Sequence, residues 1–136
     1  MTAEQRRLVR DSFDAMRELA EPVTLMFYGK LFELDPSARR LFHNDLTLQG
    51  RKLIDTLDTV IQSLDRFDEV RPRLIALGRQ HAEYGVRPEQ YAMITAALIW
   101  ALGQALGADF DPPTREAWTA ALNAVTAVMR GAPQVG

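Results

Sequence analysis

The sequence of 136 residues contains no cysteine and only two histidines, and these shortages exclude several kinds of site. Without cysteine there is no disulfide, thiolate nucleophile, iron–sulfur cluster or covalently attached c-type haem. A structural or proteolytic zinc site needs about four ligands, so His43 and His81, outside any HExxH pattern, do not predict zinc. Glycine-rich phosphate loops and the GxSxG turn of many serine hydrolases are missing as well.

Clusters of charge of one sign are also missing. The 16 basic and 18 acidic side chains give a formal net charge of -2 and are interspersed. We therefore expect no nucleic-acid partner and no membrane-surface partner. The N-terminal segment lacks the apolar core of a signal peptide, and we expect no membrane-spanning run, so a cytoplasmic location is predicted. The length and the 47% hydrophobic content suit one domain spanning 1–136.

Leucine and alanine are abundant, and apolar residues recur at helical spacing along the chain. Prolines, glycines and capping residues divide this pattern into seven helices, with no strand or repeat predicted. The predicted segments are about 3–19, a second from Glu21-Pro22, a short third ending near Phe42, 48–64, 71–84, 88–106 and 114–130. This pattern predicts an all-α domain. In its last two helices, Trp100 and Trp118 are expected in the core or at an interface, with the core favoured.

Three polar side chains fall where the helical pattern predicts burial. His81 shares a face with Leu77, Gln49 lies one turn before Leu53, and Tyr28 belongs to the apolar segment FYGKLF. Each of the three, taken alone, is more often an ordinary core or rim residue than a ligand-binding one. Together they favour haem, because a metal held by one protein nitrogen needs a macrocycle to supply its other ligands. An axial His81 would need its second ring nitrogen anchored, and the Leu77 carbonyl is available one turn back.

The segments FYGKLF, DPSARRLF, LQGRKLI and LGRQHAEYGV, followed by Tyr91 and an AW pair in the last helix, resemble a bacterial single-domain globin. The similarity covers nearly the whole chain and is strongest to flavohaemoglobin haem domains and to stand-alone globins of the Hell's Gate type. Each segment is a weak signal, but their order and spacing make a specific one. The resemblance implies the globin fold, a 3-over-3 helical sandwich with helix D short or absent, and haem b as cofactor.

The resemblance also implies roles for individual residues. His81 corresponds to the proximal ligand of the iron, and Phe42 to the phenylalanine that packs on the haem face. Tyr28 and Gln49 correspond to the distal pair, with Leu53 as the apolar residue over the iron. Because an amide is a poor iron ligand, we expect five-coordinate ferrous haem that is open to gases.

Further haem contacts are implied on the proximal side and at the rim, by Leu77, Val86 and Tyr91. Lys52 or Arg51 is expected to pair with a propionate. Flavohaemoglobins carry a glutamate in the last helix that increases electron donation by the proximal histidine. The stretch VMRGAPQVG has no acid, so we expect weaker donation and little peroxidase-like activity.

The function implied is reversible binding of O2, CO and NO, for oxygen storage or delivery or for NO detoxification with an external reductase. NO dioxygenase activity would make the chain an enzyme, and the sequence leaves this open. The alternative is a haem-based gas sensor that signals through a partner protein. We expect a monomer or a homodimer.

Overall fold

The computed structural model describes residues 1–42 and 45–131, and within these ranges it contains six α-helices and no strand. We number them α1 (Ala3–Met16), α2 (Ala20–Leu34), α3 (Leu46–Gln62), α4 (Phe67–Glu83), α5 (Gln90–Leu106) and α6 (Pro112–Gly131). Four short 3-10 segments connect them: Arg17–Leu19, Pro36–Leu41, Leu64–Arg66 and Gly107–Asp109. The all-α prediction is confirmed, and the short third helix is the 3-10 segment Pro36–Leu41.

Local sequence signals account for most helix ends. Thr2 and Gln5 form a capping box, with side-chain bonds of 3.0 and 3.1 Å. Gly85 follows α4 with φ at 101°, a conformation that side chains with a Cβ rarely adopt. α4 begins at Phe67, before the predicted start at residue 71. Pro72 therefore lies inside the helix and not in its first turn. A proline there removes only one backbone hydrogen bond near the N-terminus, so the helix tolerates it.

The helices form two layers of three. α1, α3 and α4 lie over α2, α5 and α6, with α2 against both α5 and α3, and with α1 and α4 against α6. Trp118 is the largest fully buried side chain, and its indole Nε1 donates to the Ser12 hydroxyl oxygen at 2.7 Å. Burying an indole against Phe13 across the two layers satisfies both its apolar ring and its single donor. This is the predicted 3-over-3 sandwich.

α3 and α4, both described throughout, hardly contact one another, because α3 rests on α2 and α4 rests on α6. Several apolar side chains of α3, α4 and the start of α5 are therefore only partly buried against the core. They are Leu53, Leu57, Leu77, Val86, Met93 and Ile94. This apolar surface is available to a group that lies between the two helices.

α5 is more apolar than expected. The segment Gln90–Asp109 reaches a mean hydropathy of 1.4 and is long enough to cross a membrane by length and composition alone. The expectation that no run approaches such a length was therefore wrong. α5 nevertheless packs on α2, α1 and α6 as a core helix of the sandwich. The core position favoured for Trp100 is not observed, because this residue is 37% exposed and the Lys30 ammonium lies 5.1 Å from its ring centre; the interface alternative stays open.

Candidate functional site

His81 lies in the last turn of α4 and is half-buried. Its Nδ1 is 2.8 Å from the carbonyl oxygen of Leu77. A carbonyl only accepts, so Nδ1 carries the hydrogen and donates it, which leaves Nε2 of the neutral ring with a lone pair. Burial lowers the pKa of His81, while the bond to Leu77 opposes this effect. The side chain is thus a neutral imidazole, the form that binds a metal.

Two further predicted residues contact His81. The ring of Tyr91, in the first turn of α5, is stacked on that of His81 with centroids 6.4 Å apart and planes 24° from parallel. The backbone N–H of Val86 donates to the His81 carbonyl oxygen at 3.0 Å, which closes the turn after α4. Tyr91 is buried and Val86 partly so. The structure therefore brings Leu77, His81, Val86 and Tyr91 together in one cluster at the end of α4 and the start of α5.

Tyr28 belongs to a second, aromatic cluster. Its ring meets that of Phe42 edge to face with centroids 5.1 Å apart, and that of Phe32 at 6.2 Å. Only 3% of Tyr28 is exposed, and burial raises the pKa of its phenol to about 12. The hydroxyl is thus protonated at neutral pH and can donate a hydrogen bond.

The α3 candidates lie on one side of that helix. Gln49 and Leu53 are one turn apart, both half-buried, and within the described ranges the Gln49 amide has no side-chain hydrogen bond. Lys52 is exposed and three positions from Gln49, so the two share a face. Arg51 is turned away and lines a cavity of about 210 Å3 between α2 and α3. Helix geometry thus favours Lys52 over Arg51 for contact with a group bound on the Gln49 side of α3.

α2 and α3 cross at a point of very close approach. A Cβ added to Gly50 would lie 2.6 Å from the Thr24 hydroxyl oxygen and 2.9 Å from the Thr24 Cβ. Tyr28 comes one turn after Thr24, and Gln49 is next to Gly50. The glycine at this crossing therefore lets the two donor-bearing segments lie on neighbouring stretches of the two helices.

Two features near these clusters were not predicted from the sequence. Phe32 completes the aromatic cluster, and its i+4 spacing from Tyr28 was a usable signal. A buried hydrogen bond between Asp35 and Gln90 joins residues too distant in sequence for any local pattern to predict. His43, the second histidine of the sequence, lies outside the described residues. A separate cleft of about 490 Å3 between α5 and α6 contains none of the predicted site residues.

The residues present fit a haem group. In the described part of the chain, no three His, Asp or Glu side chains gather as a metal-binding set. A metal here would thus bring most of its own ligands, as haem iron does, with one nitrogen from the protein. The imidazole of His81 would provide that nitrogen, and the partly buried apolar side chains beside α3 and α4 would provide the walls.

The fold defines a class of protein: an all-α sandwich of two helical layers. The Globin family model matches residues 25–129, which is most of the chain, and the chain belongs to the globin family. It is 27% identical to the neuroglobin of Tetraodon nigroviridis over 143 residues, covering 95% of this chain and 90% of that protein. It is 23% identical to a flavohemoprotein of Halalkalibacterium halodurans over 131 residues, covering 94% of this chain and 32% of that protein.

A solved structure is similar along nearly the whole chain. It is the engineered carbene transferase RmaNOD, a glutamine-to-valine variant of a candidate nitric oxide dioxygenase from Rhodothermus marinus. The TM-score is 0.87 at 25% sequence identity, with 99% of this chain and 95% of that chain covered. Together these findings make the chain a globin of the bacterial single-domain type, with a haem cofactor and small gas ligands such as O2.

Proposed function

We propose that this globin carries haem b on His81 and binds O2 reversibly, with CO and NO as further ligands. The observation that carries the proposal is the 2.8 Å hydrogen bond from His81 Nδ1 to the Leu77 carbonyl. This bond fixes the tautomer and directs the Nε2 lone pair away from the backbone of α4. Phe42, Val86 and Tyr91 supply apolar and aromatic surface to the macrocycle, and Lys52 an ammonium to a propionate.

When bound, the haem supplies an iron with one open coordination position for a diatomic gas. Tyr28 and Gln49 are the donors proposed to face this position, and Leu53 keeps it apolar. O2 held there carries partial negative charge, so a phenol O–H and an amide N–H would each stabilise it by about 1 kcal/mol or more. A difference of about 1.4 kcal/mol changes affinity tenfold, so two such donors are expected to slow the release of O2 more than the release of CO.

The proximal side favours reversible binding over O–O bond cleavage. The partner of His81 Nδ1 is an uncharged backbone carbonyl, not a carboxylate, and a carboxylate partner would make the imidazole more basic. The stacked neighbour, Tyr91, is buried, and burial raises the pKa of its phenol. His81 is therefore expected to donate electron density weakly, in line with the acid-free end of α6.

Two physiological roles follow from O2 binding. The first is oxygen storage or delivery by a cytoplasmic monomer or homodimer. The second is removal of NO as nitrate, which uses bound O2 and needs one electron per cycle from an external reductase. Sustained NO consumption with such a reductase would assign the second role. If ligand binding instead changed the association of the chain with another protein, the gas-sensor alternative would be favoured.

The visible spectrum of the purified protein tests the proposal directly. Haem reconstitution should give a Soret band, and the ferrous form should be five-coordinate until CO or O2 is added. Absence of a Soret band after reconstitution would contradict the proposal. The pyridine haemochrome spectrum distinguishes haem b from other macrocycles.

A further inference from the structure

A buried hydrogen bond joins two residues that are 55 positions apart. The Gln90 side-chain Nε2 donates to Asp35 Oδ2 at 2.9 Å, and the Gln90 Oε1 accepts from the backbone N–H of Arg87 at 2.8 Å. Gln90 is 3% exposed and Asp35 is 9% exposed. Burying a carboxylate and an amide costs free energy unless their polar atoms are paired. Neither side chain has a role in the proposed function.

Asp35 holds one end of this network in place. It caps the 3-10 segment Pro36–Leu41, because its Oδ1 accepts from the Ser37 backbone N–H at 3.2 Å and from the Ser37 hydroxyl at 2.6 Å. That segment leads directly into Phe42, whose backbone N–H donates to the Arg39 carbonyl oxygen. The carboxylate therefore fixes the segment that presents Phe42 to the Tyr28 cluster.

Gln90 holds the other end. It is the first residue of α5, and its neighbour Tyr91 is the residue whose ring stacks on His81. Its bond from the Arg87 N–H also ties it to the turn that follows Val86. The Asp35–Gln90 bond thus connects the segment of Phe42 to the segment that surrounds the His81 imidazole.

We propose that Asp35 and Gln90 are positioning residues for the haem site, which act through Tyr91 on the plane of the His81 imidazole and through Pro36–Leu41 on Phe42. The inference rests on the proposed function. Neither side chain is expected to touch the haem. They hold the two sides of the site at a fixed distance from each other. Loss of the Asp35–Gln90 bond is therefore expected to make both sides more mobile.

Each hydrogen bond in this network has a defined donor and a defined acceptor, so substitutions that exchange the two test the proposal. In Asp35→Asn, the new amide N–H faces either the Gln90 N–H or the Ser37 backbone N–H, so one donor stays unpaired in each orientation. In Gln90→Glu, two carboxylates face each other across a hydrogen-bond distance. The double variant Asp35→Asn/Gln90→Glu restores pairing, because the carboxylate introduced at position 90 can accept from both the Arg87 N–H and the new amide. The net charge of the double variant is unchanged.

The experiment compares the full chain with these three variants after haem reconstitution. Three quantities are measured: the rate of haem transfer to an excess of haem-scavenging apoprotein, the iron–histidine stretching band of the ferrous protein, and the melting temperature of the apoprotein. We expect each single variant to lose haem about tenfold faster and to shift or broaden the band. The double variant should recover both properties to within about threefold and to the original band position.

A matched control and a milder variant keep the test decisive. Ser12→Ala removes the hydrogen bond to Trp118, which is partly buried and lies between α1 and α6, so it should lower the melting temperature without moving the band. Ser37→Ala should act like Asp35→Asn but more weakly, in case the latter fails to fold. If the single variants only lower the melting temperature, as Ser12→Ala does, the positioning role is overturned. A wild-type chain that takes up no haem overturns the proposed function and this inference with it.

Discussion

The Nδ1 atom of His81 lies 2.8 Å from the Leu77 carbonyl oxygen one turn earlier in α4, so the helix that carries the proposed ligand also fixes its tautomer. Leu77 lies inside α4, where its carbonyl oxygen also accepts the His81 backbone N–H, so the ring bond uses the second lone pair of this oxygen. The bond places the hydrogen on Nδ1 and leaves Nε2 for a ligand. α4 alone supplies this hydrogen bond, whereas the ring stacked on His81, that of Tyr91, comes from α5.

We expect His81→Gly to lose the Soret band of the reconstituted protein, because the proposed axial nitrogen is gone. Added imidazole should restore the band by occupying the vacated space as a free ligand. Absorption spectra with and without imidazole check this expectation. A normal ferrous five-coordinate spectrum of the variant without imidazole would show that another residue binds the iron.

We expect Tyr28→Phe to accelerate O2 dissociation by about tenfold or more, because it removes a buried donor while keeping the aromatic contacts with Phe42. CO dissociation should change less, since bound CO is less polarised. Stopped-flow displacement of O2 by CO measures the rate. Tyr84→Phe is the matched control, because Tyr84 is 69% exposed; equal rates in both variants would refute the distal role of Tyr28.

We expect Gln49→His to convert the ferrous haem from five-coordinate to six-coordinate, because an imidazole binds iron where an amide does not. The conversion should also slow CO association, since the sixth position must first open. Optical spectra and flash photolysis measure these effects. Gln62→His, an exposed position on the same helix, should leave the spectrum five-coordinate. No change in Gln49→His would mean that Gln49 does not face the iron.

We expect Gly50→Ala to lower the free energy of unfolding of the apoprotein by about 1–3 kcal/mol. The added Cβ would lie under 3.0 Å from both Oγ1 and Cβ of Thr24, so the two helices must move apart. Urea denaturation followed by circular dichroism gives the value. Gly29→Ala is the control: nothing lies within 4 Å of its Cβ, and it should stabilise the helix by about 0.5–1 kcal/mol. Thr24→Ala should partly rescue Gly50→Ala; no rescue would place the strain elsewhere.

We expect the stabilising effect of Asp35 to be lost in acid. Hydrogen bonds from Ser37 and Gln90 hold the pKa of Asp35 below its ordinary value of 3.8, so the folded chain binds this proton less readily than the unfolded chain. Its contribution is complete above the unfolded value and disappears as the pH falls through the lower folded value. The difference in unfolding free energy between wild type and Asp35→Asn should thus be constant above pH about 5 and shrink below pH about 4. A difference that stays constant down to pH about 2 would contradict this assignment.

Local physics made much of this protein predictable from its sequence. The capping box at Thr2, the left-handed Gly85 and the shared face of Leu77 and His81 each depend on residues within a turn of one another. Helical periodicity is a property of a single segment, so it can be read without knowledge of the partner helix. The inward histidine and its backbone anchor therefore required only the sequence.

Only the tertiary structure decided how the segments meet. The Tyr28–Phe42 contact, the gap between α3 and α4, the exposure of Trp100 and the Asp35–Gln90 bond depend on how helices pack and where they cross. α5 shows why: it is apolar on nearly every side, so its sequence cannot indicate which side faces the core. The sequence by itself determined the helices and the orientation of His81, whereas packing between distant segments decided the surroundings of that ligand.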